Sequence, residues 1–164
     1  MAVEINKSNF PTMPNPSKTM AGNALLLFIN YGEGATTENP KWKLLGGQRN
    51  SPLSMTADEI DSSDKASDGW GETLQGPKSW SIDQESVYKV NDESVEIVKY
   101  AFLNNIPLHI MRWDKEGNAM TGFATVTEFS DDNPHDDVAS VTISLQGKGA
   151  PEFKTGVTDP RLSA

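Results

Sequence analysis

From residue 24 onward, short apolar runs alternate with breaks rich in Gly, Pro or Asp, which is the rhythm of strands joined by turns. Ala24 to Ile29 is apolar at both parities, which predicts a central strand covered on both faces. A turn region over 32–40 precedes a short strand, Lys41 to Leu45, which Gly46 and Gly47 break. Leu53, Met55 and Ala57 then share a parity opposite Ser54, Thr56 and Asp58, predicting one buried and one wet face, and Ile60 breaks the pattern. Trp80 and Ile82 face one way, with Ser79, Ser81 and Asp83 facing the other.

A helical period interrupts this rhythm once. Asn91 is a plausible cap, Asp92 and Glu93 suit a first turn, and Val95, Val98, Ala101 and Phe102 form an apolar stripe, so a helix is predicted over 92–104. Pro107 stops it. Leu108 to Trp113 alternates as a strand, turns through 114–118, and pairs with a strand from Met120 to Phe129 in which Gly122 marks a bulge or a close backbone approach. After a connection at 131–134, Ala139, Val141, Ile143 and Leu145 point inward, and Gly147 with Gly149 is expected to end that strand.

The result is a mainly β chain: an antiparallel sandwich or barrel of about seven strands with one packed helix. The domain spans 22–149, flanked by extended arms at 1–21 and 150–164. Pro11, Pro14 and Pro16 keep the first arm out of helices and central strands. Phe10 and Met13 there, and Phe153 in the second arm, are candidate contacts with a neighbour. The polar insert from Asp61 to Lys78 is too long for a hairpin turn and longer than compact domains ordinarily carry without a use. Trp70 sits in it between two glycines, a large apolar side chain that needs a surface to cover it.

Composition narrows the function. With 164 residues the chain can bury a full core; with no Cys and only two His, disulfides and thiolate metal sites are excluded and a His-based site is disfavoured. No apolar run approaches the roughly 20 residues of a membrane span, and the N-terminus lacks the pattern of a secretory signal, so no membrane partner is expected and a cytoplasmic place of synthesis is. A net charge of −9 argues against gripping phosphates, though not against a surface past which DNA slides without sticking.

Catalytic chemistry finds no foothold. His135 lies beside Asp136 and Asp137, but adjacent loop residues rarely converge on one ion, so a solvated turn is expected. His109 reads as a satisfied sheet residue. Asp58, Glu59, Asp61 and Asp64 share only composition with a calcium loop, lacking its turn Gly and terminal Glu. No nucleophile stands beside a base and no loop cradles phosphate, so neither enzymatic activity nor a cofactor is expected. An alternative is a β-sandwich module binding carbohydrate through Trp42, Trp70 and Trp113.

An ordered set of motifs adds what periodicity does not. Gly46-Gly47-Gln48-Arg49, Leu53-Ser54, 57–61, Gly69-Trp70, Leu74, Gly76 and 78–83, followed by 101–104 with Pro107, 122–124 with Phe129-Ser130, 134–137 and Leu145-Gln146-Gly147, resembles the major tail protein of long, non-contractile-tailed bacteriophages. The resemblance implies hexameric rings stacked into a tube in the virion, assembled in the host cytoplasm around a tape-measure protein, capped by terminator and distal tail proteins, and later traversed by DNA. It also implies a sandwich whose inner sheet lines the tube, a flanking helix, and a long loop touching the adjacent ring. Here that loop is 61–78, with Asp64, Lys65, Asp68, Trp70, Glu72 and Leu74 as its contacts.

Overall fold

The computed structural model describes residues 25–66, 68–89 and 92–163. Eight strands follow one another with one α-helix between the fifth and sixth: β1 Leu25–Asn30, β2 Trp42–Leu44, β3 Gln48–Asn50, β4 Leu53–Asp61, β5 Thr73–Val87, α1 Glu93–Leu103, β6 Leu108–Asp114, β7 Ala119–Asp132 and β8 Ser140–Lys154. A short 3-10 helix, Pro160–Ser163, follows β8. All pairings are antiparallel, in the order β2-β1-β6-β7-β8-β5-β3, with β4 beside β5. The expected arm at 1–21, with Phe10 and Met13, lies outside the described residues.

Alternation builds the core. Leu27 and Ile29 of β1, Ile110 of β6, Ala124 of β7, Ile143 of β8 and Ile82 of β5 turn to one side of the sheet. Ile97, Val98 and Ala101 of α1 cover them. Each large side chain so buried contributes roughly 1.5–3 kcal/mol, so the helix is held by the sheet more than by its own propensity. Phe28, Met111 and Trp113 line the opposite side, packed against Trp42, Leu44 and Val157. That second cluster is why Ala24 to Ile29 shows no parity: β1 is covered twice.

The sheet closes on itself without a continuous ladder. At the seam, Leu27 N–H donates to Gln48 Oε1 at 2.9 Å, and Gln48 Nε2 donates to Leu27 O at 2.7 Å and Leu45 O at 2.6 Å. Arg112 Nε donates to Ser51 O at 3.2 Å beside it. One side chain thereby satisfies the backbone groups that a neighbouring strand would otherwise pair.

Several expectations change. The helix cap is Asp92, whose Oδ1 accepts from Ser94 N–H at 3.0 Å; Asn91 is outside the described residues. Phe102 turns outward, and Ser94 and Ile97 join the buried stripe, because the buried face of a packed helix is wider than one line of residues. Gly147 and Gly149 do not end β8. They sit where the Trp80 indole lies across the strand: a Cβ at Gly147 would collide with the ring, and Gly149 O accepts from Trp80 Nε1 at 2.9 Å. Gly122 of β7 has the same cause, with a Cβ there 2.9 Å from Trp80 Cζ2. The second arm accordingly begins later than 150, since β8 runs on to Lys154 and carries Phe153.

Candidate assembly interface

The insert predicted as a loop over 61–78 is a loop only at 62–72, and its remaining residues extend a hairpin. β4 and β5 pair as far out as Ile60 with Leu74 and Asp61 with Thr73, so only 62–72 form the tip. The turn signals at Gly76 and Pro77 mislead because together they oppose the single residue Asp58, forming a bulge inside the strand. Proline is tolerated in such a position because a bulge interrupts the ladder.

Polar side chains bind the tip to itself. Ser62 N–H donates to Glu72 O at 2.9 Å, Ser63 N–H to Asp61 Oδ1 at 2.9 Å, and Glu72 N–H to Ser63 Oγ at 2.7 Å. The amide and hydroxyl of Ser63 hold the Asp61 carboxyl below its ordinary range. Asp64 Oδ1 accepts from Ala66 N–H at 2.9 Å, and Asp68 and Gly69 turn the chain through positive φ. Trp70 is left 81% exposed, with Leu74 at 59%, Met55 at 57% and Ile60 at 49%. The buried face expected for Leu53, Met55 and Ala57 is therefore absent at Met55, because the hairpin leaves the core behind after Leu53.

Asp64, Lys65, Asp68, Trp70 and Glu72 are gathered on this tip, and Leu74 stands at its base across from Ile60. Phe153 is 62% exposed on β8. With Met55, Trp80 and Pro151 it lines a groove of about 540 Å³ between β8 and the hairpin.

The three tryptophans of the carbohydrate alternative do not form one exposed platform. Trp113 is buried and donates to Val157 O at 3.0 Å, Trp42 is packed half-buried on the sheet, and Trp70 is out on the tip. His135 is exposed in the turn after β7, as the sequence implied. His109 is satisfied in the sheet: Asn30 Nδ2 lies 3.0 Å from its Nδ1, and its ring stacks on Phe123 at 4.8 Å. Burial lowers its pKa, and the nearby Lys154 lowers it further. Among the described residues no three His, Asp or Glu side chains are grouped to hold a metal, and no helix is long and apolar enough to cross a membrane.

A feature that periodicity missed is a row across five strands on the sheet face opposite the helix. Trp42 pairs with Asn30, Asn30 meets His109 through their side chains, His109 pairs with Phe123, and Phe123 with Lys148. The alternation of β6 was legible, but a cross-strand row requires the register, which no single strand encodes.

The model of the phage tail tube protein family matches residues 19–153. No curated protein matches the chain. Among solved structures, the chain is similar to one in the virion of a native gene transfer agent particle, with 21% identity and a TM-score of 0.70, covering 84% of this chain and 100% of that one. It is likewise similar to one in the tail of an empty gene transfer agent particle with C6 symmetry, at 22% identity, TM-score 0.69, and the same coverage. The SPP1 tail tube aligns with TM-score 0.71 and 16% identity over 85% of this chain and 81% of that chain.

Proposed function

The chain belongs to the phage tail tube protein family, and from that premise we propose that its copies close into hexameric rings that stack into the tube. It is a structural protein of the virion tail. The C6 symmetry of a similar tail particle supports a six-membered ring. A head-to-tail interface that closes by rotation gives a ring, and repetition along the axis gives a cylinder.

The observation carrying this reading is Trp70, an indole left 81% exposed on a hairpin tip by a chain whose described residues bury a core of their own. Such a side chain is a contact anchor awaiting a partner. In this reading Asp64, Lys65, Asp68, Trp70, Glu72 and Leu74 meet the adjacent ring, and Phe153, with Phe10 and Met13 of the first arm, meets neighbouring copies. The protein has no catalytic role and needs no cofactor. A tape-measure protein fills the tube during assembly, terminator and distal tail proteins close its ends, and the net charge of −9 keeps DNA from sticking during ejection.

Negative-stain microscopy of the concentrated protein is the test. Tubes of constant width support the assignment; a strictly monomeric preparation in sedimentation, at concentrations where related subunits polymerise, overturns it.

A further inference from the structure

The hairpin tip and the five-strand row are complementary in kind. The tip presents an indole among carboxylates, with Asp64, Asp68 and Glu72 flanking Trp70 against the single cation Lys65. The row presents aromatic faces beside cations. Trp42 and His109 lie 5.0 Å apart between centroids, His109 and Phe123 stack at 4.8 Å, and Lys148 continues the row with Lys154 alongside. These residues line a cleft of about 440 Å³, opened by the turn at Thr37 and Pro40 on one side and by Gly149 and Ala150 on the other. Phe123 is exposed on a sheet face where Phe28 and Trp113 are buried.

Resting on the tail tube reading, we infer that the row Trp42, His109, Phe123 and Lys148 receives the Trp70 tip of a second copy of this chain. Trp70 then lies against Phe123 and His109, the offset or edge contacts that aromatic pairs prefer. Lys148 and Lys154 lie toward Asp68 and Glu72, where opposite charge sets orientation and rejects wrong docking. Within one copy both features are displayed at once, so each copy gives a tip and takes one, which is the arrangement that propagates. Nucleic acid is the weaker occupant: two lysines beside Glu152 offer few phosphate contacts in a chain of net charge −9.

Absence of native cysteine makes the contact measurable by disulfide trapping. Gly71→Cys lies beside Trp70, where a Cβ meets Ser63 Oγ at an unstrained 3.9 Å, and Thr37→Cys lies at the rim of the cleft; neither removes a proposed contact. The two single variants, one carrying a mass tag, are mixed, assembled and oxidised. A disulfide-linked dimer of intermediate mass from the tubes supports the inference. Tubes in which Gly71→Cys joins Met55→Cys, in the groove beside the hairpin, and not Thr37→Cys, overturn it while leaving the tube assignment standing. A wild-type protein that makes no tubes overturns both.

Charge reversal gives the second arm. Lys148→Glu with Lys154→Glu is expected to raise the concentration needed for assembly about tenfold, and Asp68→Lys with Glu72→Lys in the same chain to restore it. Failure of that restoration, with the quadruple variant folded by circular dichroism, counts against the pairing. A labelled oligonucleotide retained by the monomer through Phe123 and Lys148, with tubes indifferent to both, assigns the row to nucleic acid instead.

Discussion

Gln48 and Leu27 are joined by two hydrogen bonds, Leu27 N–H to Gln48 Oε1 and Gln48 Nε2 to Leu27 O, so that an amide side chain imitates a strand at the point where the sheet meets itself. Gln48→Ala strands the Leu27 N–H and the Leu45 C=O, while Leu27 O keeps its bond from Leu45 N–H. At roughly 1–3 kcal/mol for each of the two unpaired buried groups, the loss should reach about 2–6 kcal/mol in urea unfolding. A loss under about 0.5 kcal/mol would mean water replaces the side chain and the seam is not closed by it.

Gly147→Ala should destabilise by about 1–3 kcal/mol, the usual range for overpacking, because the added methyl meets the Trp80 ring, which is itself pinned by Gly149 O. Gly71→Ala on the tip, whose added methyl meets Ser63 Oγ at an unstrained 3.9 Å, is the control and should stay within about 0.5 kcal/mol. Equal effects at the two positions would remove packing as the reason for Gly147.

Trp70→Ala should leave thermal unfolding of the monomer unchanged within about 0.5 kcal/mol, the norm for an exposed site, and abolish tubes seen by microscopy. Unfolding of the monomer by this substitution would place the indole in its own core.

His109 titrates below its ordinary value because burial and Lys154 disfavour the imidazolium. Asn30 adds to this: Lys41 N–H donates to its Oδ1 at 2.8 Å, which turns its amide nitrogen toward His109 Nδ1 and requires that nitrogen to accept. The unfolded chain therefore binds the proton more readily, and stability is full above about pH 6.5 and declines as pH falls through the unfolded pKa toward the lower folded one. Urea midpoints at pH 7.5 and pH 5 should differ more for the wild type than for His109→Phe.

The legible part of this fold was whatever repeats along one strand or helix. Val141, Ile143 and Leu145 turned inward as their spacing demanded, and so did Trp80 and Ile82. Met55 shows the limit: alternation separates two faces but does not say whether anything covers either, and at Met55 nothing does within the chain. Gly147, Gly149 and the Gly76-Pro77 pair show another, since a breaker in sequence can be a fitting in space, sized to an indole 67 residues away or to a bulge. The tip residues around Trp70 were found because an indole between glycines is conspicuous; the row that faces outward from β2 to β8 was not, because its members come from five strands.

The bulge opposite Asp58 sits at the root of the paired stretch that carries Ile60, Leu74 and the tip. Slide β5 past β4 by one residue and Leu74 swings to the side of the ribbon opposite Ile60, while Trp70 changes its height and heading. Gly76 and Pro77 forbid that slide, as a detent fixes the position of a shaft. In a polymer of such copies, sameness from the first to the last would thus rest on two residues chosen for their backbone.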